Sequence, residues 1–116
     1  DTCIHCNENE SDTIEHCFYQ CPDVFLFWRS FCTWWKNVYG FFFSLKEVEV
    51  IFGVINDNDD KCFDTMNYFI LLAKLYLYNT KMASGKVFIL SFLHVLKNNL
   101  EVLKTFYYLK AKEIDF

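Results

Sequence analysis

Three cysteines and a histidine within the first 21 residues carry the chemistry of this chain: Cys3, Cys6, His16 and Cys21, spaced Cys-x2-Cys-x9-His-x4-Cys. Two thiols two residues apart can meet one ion from a single tight turn. The spacer that follows is long enough for the chain to return with the second pair of donors. Thiolate sulfur and imidazole nitrogen suit structural Zn²⁺, and a Cys3His set fills all four tetrahedral positions. A filled shell has no place for substrate, so the expected role is structural or recognition, not metal catalysis. Cys17 is an alternative donor beside His16, and His5, inside the first turn, is expected to point outward. With six cysteines present, a disulfide framework is the rival reading. The metal-type spacing and the lack of a visible secretory signal favour zinc. Asn9-Glu10-Ser11 matches a glycosylation sequon, a motif short enough to recur by chance. Cys32 and Cys62 lie in apolar stretches and read as buried free thiols, and His94 reads as a satisfied core or boundary histidine.

The rest of the chain must supply the scaffold. Its 116 residues suffice for one domain with a modest core. At 53% hydrophobic and 21% aromatic the composition excludes intrinsic disorder. Three Gly and one Pro are too few turn residues for a many-stranded sandwich, which favours helices. No run of 18 apolar residues occurs; Arg29, Lys36 and Asn37 interrupt the nearest one, so no membrane span is expected. The opening lacks an initiator Met and has a metal ligand at position 3, which reads as the carboxy-terminal piece of a longer protein. With no visible secretory signal, the expected location is intracellular (nucleus and cytoplasm).

Local signals place the elements. Asp12-Thr13-Ile14-Glu15 is a capping-box pattern and predicts a short helix over 13–20, with His16 near its middle and Cys21 just past its end. Pro22 suits the first turn of a new helix over 23–38, apolar nearly all round, with Gly40 as its stop. Such a helix is buried on most sides or covers a partner. Ser44-Leu45-Lys46-Glu47 is a second capping box opening a short helix toward Phe52, with Gly53 at its exit. Two longer helices follow, over 62–82 with the stripe Phe69, Leu72, Ala73, Tyr76, and over 86–112 with Ile89, Leu93, Leu96, Leu100, Leu103 and Tyr107. Ala83-Ser84-Gly85 forms the hairpin between them. The fold class is therefore mainly α: an N-terminal CCHC zinc knuckle over 1–40, followed by a small helical array over 41–116, read as one continuous unit.

Around His16-Cys17-Phe18-Tyr19-Gln20-Cys21-Pro22, extended to Trp28 and joined by Cys3, Cys6 and Glu15, the chain resembles the zinc-binding domain that follows the polymerase in reverse transcriptases of non-LTR (LINE-type) retrotransposons. That family pairs a Cys-x2-Cys with a Glu, a His-x4-Cys-Pro and then a Trp after a short apolar stretch. The resemblance implies Cys3, Cys6, His16 and Cys21 as ligands of one structural zinc, Pro22 as a helix start and Trp28 as its anchor. Ile51-Phe52-Gly53 and residues 67–74 are similar to the tails of such elements. It also implies a non-catalytic module that helps hold RNA or target DNA during target-primed reverse transcription, in a parent that is an RNA-directed DNA polymerase with endonuclease.

Charge qualifies that expectation. Residues 1–60 hold 11 acidic and 3 basic side chains, whereas residues 61–116 hold 4 acidic and 8 Lys. Phosphate binding favours dense Lys and Arg. Contacts to RNA or DNA are therefore expected to be weak for this piece alone and to draw on Arg29, Lys36, Lys74, Lys81 and Lys86, with Lys46, Lys97 and Lys104 as further candidates. Trp34, Trp35 and Tyr108 are candidates for stacking on unpaired bases, with core packing the favoured role for the tryptophans. The other reading is a structural or interaction module that docks a helical tail on its parent polymerase, with no nucleic-acid contact. A membrane and a small-molecule substrate are not expected partners. The chain lacks a Gly-rich phosphate loop, and no Ser-His-Asp or Cys-His order has a supporting catalytic context. Asn58-Asp59-Asp60 reads as a solvated loop, neither a polymerase carboxylate turn nor an EF-hand.

Overall fold

The computed structural model describes Cys3, residues 11–55 and residues 61–114, with side chains as far as Lys104. Among the described residues, four α-helices follow a one-turn π-helix at His16–Gln20: α1 (Pro22–Tyr39), α2 (Glu47–Phe52), α3 (Lys61–Met82) and α4 (Ile89–Ile114). The mainly helical fold class is as the sequence predicts.

Helix α1 begins where Pro22 presets φ and needs no amide partner. It ends at Gly40, whose φ of 85° is left-handed and whose amide donates to the Lys36 carbonyl at 2.8 Å. Its buried residues are Val24, Phe27, Trp28, Phe31, Cys32 and Trp35, one seam at helical spacing. The helix is thus less enclosed than its composition suggests, since Phe25, Leu26 and Val38 face outward. Trp35 is fully buried and stacks on Tyr39 at 4.0 Å, and half-buried Trp34 lies 5.9 Å from Phe69. Both tryptophans serve the core.

The second capping box forms in a shifted register. Lys46, not Ser44, precedes the helix, and the Glu49 carboxylate accepts from the Lys46 amide at 2.9 Å. Lysine has no acceptor to complete the reciprocal half. Gly53, at φ 94°, leads into a side-chain clamp: the Val54 amide donates to Asn67 Oδ1 at 2.6 Å and Asn67 Nδ2 donates to the Val54 carbonyl at 2.9 Å. A Cβ at Gly53 would approach Asn67 Oδ1 to 3.3 Å, so the position needs both the positive φ and the missing side chain.

Helix α3 buries Met66, Phe69, Ile70, Ala73, Leu77 and Lys81. It closes with a Schellman motif. The Gly85 amide donates to the Thr80 carbonyl and the Ser84 amide to the Lys81 carbonyl, which puts Ser84, not Gly85, in the left-handed region at φ 55°. Helix α4 enters the core through Phe92 and Leu96, whereas the expected stripe member Leu93 is only half-buried and Leu100 is exposed. His94 is exposed, contrary to its expected core or boundary place. Phe92 wins the core position because it meets α1 and α3 together, 5.5 Å from Phe27, 6.1 Å from Phe31 and 5.8 Å from Tyr76. One hydrophobic cluster runs from Cys3 through α1, α2 and α3 to Leu96. No described helix is long and apolar enough to cross a membrane.

Candidate metal centre

The segment leading to the site is capped differently from the sequence pattern. Thr13 caps it, its Oγ1 accepting from the His16 amide at 3.1 Å. Asp12 turns away from that role and forms an ion pair with Lys81 of α3. The hydroxyl of Thr13 therefore replaces the expected Asp12–Glu15 box, because Asp12 is held by a cation 69 residues distant.

Beyond Glu15 the helix widens. The Cys21 amide donates to the His16 carbonyl at 2.9 Å, an i→i+5 bond. In an α-helix, residues five apart point about 140° away from each other. The wider π turn takes more residues per revolution and so rotates His16 and Cys21 toward one side. Its outer residues are tied down as well. Trp28 Nε1 donates to the Phe18 carbonyl at 2.7 Å, Tyr19 Oη to the Leu45 carbonyl at 2.9 Å, and Gln20 Nε2 to Glu47 Oε1 at 2.8 Å. The turn packs against α1, α2 and α3.

Cys3, His16 and Cys21 meet there. Their donor atoms all lie within 4.8 Å of one another and all three residues are buried. The Cys3 and Cys21 sulfurs are 3.9 Å apart. Two thiolates about 2.3 Å from one tetrahedral zinc would stand about 3.8 Å apart, so the spacing fits shared coordination. Among the described residues, Cys3, Cys17 and Cys32 are free thiols. The donor set suits a metal ion. Cys6, the remaining expected ligand, and His5 lie outside the described residues. Cys17 is buried next to His16 but is not among the three clustered donors. Burial, and then the neighbouring Cys3, push the Cys17 thiol up from its ordinary range.

The expected nucleic-acid cations do not share one environment. Arg29, Lys36 and Lys86 are exposed. Lys74 is half-buried, its Nζ donates to the Ile51 carbonyl at 3.2 Å, and desolvation lowers its pKa. Lys81 is only 7% exposed and neutralised by Asp12, which removes it from any phosphate-binding surface. Burial is the physical reason: an ammonium withdrawn from water at the end of α3 requires a carboxylate partner. The Asp12–Lys81 pair was not foreseen, and no local signal in the sequence marks it. The π turn had one signal. A His-x4-Cys pair can reach one ion only if the chain departs from α-helical geometry before the cysteine, by widening or by ending.

No family model, no curated protein and no solved structure matches this chain.

Proposed function

We propose that this chain is a non-catalytic module in which one structural Zn²⁺, held by Cys3, Cys6, His16 and Cys21, staples the N-terminal segment to a helical array that handles nucleic acid. The retrotransposon reverse transcriptase suggested by the motif around His16 and Cys21 is the parent that fits this reading. The observation that carries it is the burial of the Cys3, His16 and Cys21 donors against the core. A metal there would be surrounded by protein, not presented to substrate, and its binding energy would serve folding. Arg29, Lys36 and Lys86, with Lys46, Lys97 and Lys104, are exposed cations able to meet phosphate.

A second reading, docking on a parent polymerase, is favoured by one feature of α3. Leu71, Leu75, Tyr78 and Met82 recur at helical spacing and are all exposed. The two readings separate by salt. Zinc-loaded protein and a fluorescent single strand, followed by anisotropy from low to high salt, should show binding that weakens as salt rises and weakens further in Arg29→Gln/Lys36→Gln. Absence of binding at low salt would refute nucleic-acid handling and favour the apolar docking role.

A further inference from the structure

We infer that the groove between α1 and the segment 41–46 is a binding site for a nucleotide, that is, a planar aromatic base carrying a phosphate. The groove has a volume of about 280 Å³. That is just below the usual range of small-molecule sites and suits one planar group. Tyr19, Phe25, Trp28 and Phe42 supply aromatic walls. Trp28 is at the floor, 2% exposed, while Phe25 and Phe42 are 41% and 61% exposed at the rim. Aromatic faces open to solvent are platforms on which any base can stack.

Charge selects the ligand class. Arg29 is the one ionised side chain lining the groove, which contains no carboxylate. No ion pair is found for the exposed Arg29 guanidinium among the described residues. A guanidinium at the mouth of an aromatic slot suits an oxyanion attached to a flat ring, because its planar fork matches phosphate. Ser44 adds a hydroxyl to the lining. The Tyr19 and Trp28 polar atoms are already satisfied by the Leu45 and Phe18 carbonyls. Those two rings therefore have no polar atom to spare, and Arg29 and Ser44 offer the polar contacts. The same chemistry is present in a free nucleotide and in an unpaired unit of a single strand. The second source rests on the nucleic-acid reading above and the first does not.

The test uses zinc-loaded full chain, with adenosine 5′-monophosphate, adenosine and a ten-residue single-stranded adenylate as probes, followed by amide shifts in NMR. The monophosphate is expected to perturb residues around Phe25 and Phe42 and to bind about tenfold more tightly than adenosine. Arg29→Gln should reduce it to the level of adenosine, and Phe42→Ala should weaken all three probes. Lys61→Gln, on an exposed lysine outside the groove, should leave binding as in the wild type. No shift with the monophosphate, or equal binding by Arg29→Gln and Phe42→Ala, would overturn the site. If the oligomer then still bound, nucleic-acid handling would survive without this groove. If the monophosphate bound at the groove but the oligomer bound no more tightly, the site would stand and the nucleic-acid reading would fail.

Discussion

Replacing Lys81 by Met keeps the length of the stem and removes only the ammonium. The side chains of Lys81 and Asp12 are 9% and 18% exposed, and Asp12 Oδ1 is buried with no hydrogen-bond partner. Lys81→Met would leave the carboxylate with neither its cation nor enough water. Breaking one partner of a buried pair costs about 3–5 kcal/mol. The partial exposure of Asp12 puts this case near about 3 kcal/mol, because some water can still reach the carboxylate. Asp12 lies four residues before His16, so the loss falls on the segment that presents the metal donors. If all of it appears there, metal affinity should drop about a hundredfold. Urea unfolding of the zinc-loaded protein and Co²⁺ titration of the apo protein would read the two quantities. Asp12→Leu/Lys81→Met, which removes both charges, should recover to within about 1 kcal/mol of wild type. The reasoning fails if Lys81→Met unfolds like wild type, or if the double variant is worse than the single one.

Other sites make separate predictions. Ser84→Gly should stabilise the protein by about 0.5–1 kcal/mol, since Ser84 occupies a left-handed position that glycine adopts without cost; an unchanged urea midpoint would count against the Schellman assignment. Asn67→Ala removes both bonds that clamp Val54. It should cost about 1–3 kcal/mol and speed hydrogen exchange at the Val54 amide, and unaltered exchange would contradict the clamp. Phe92→Ala should cost about 3–5 kcal/mol in thermal or urea unfolding, against less than about 1 kcal/mol for exposed Leu90→Ala. Burial pushes the Cys32 thiol above its ordinary value of 9.0. Its neutral form is favoured in the folded state, so the stabilisation holds below the ordinary thiol range and is lost as pH rises through the raised value. Alkylation of Cys32 should accordingly stay slow through pH 9. Modification there at the rate of an unfolded-chain thiol would disprove the buried environment.

Helix limits were legible where a residue type leaves the backbone little choice. Pro22 and Gly40 bracket α1 through fixed φ and left-handed φ, and Gly53 does the same after α2. What the sequence could not disclose was settled by contacts distant along the chain. Asp12 looked like a cap because its local context is a cap's, and Lys81 claims it from α3. Phe92 and Leu93 both lie at helical spacing from Leu96, and only the aromatic rings of Phe27, Phe31 and Tyr76 decide between them. The register of the second cap moved by two residues because Glu49 reaches the Lys46 amide. At the candidate site, the residue types and spacing named Cys3, His16 and Cys21 as donors that meet. The means of bringing the last two together, the π turn, was missed because the pattern over 12–20 satisfies ordinary helix rules up to the point where Cys21 must face His16.

The metal itself is the most direct test. Protein purified without added metal, weighed by native mass spectrometry before and after a strong chelator, should carry one zinc per chain. Chelation should remove it and melt the segment up to Gly40, and Cys3→Ser or Cys21→Ser should do the same. A chain that carries no metal, with Cys3 and Cys21 instead joined in disulfides, would contradict the account at its centre.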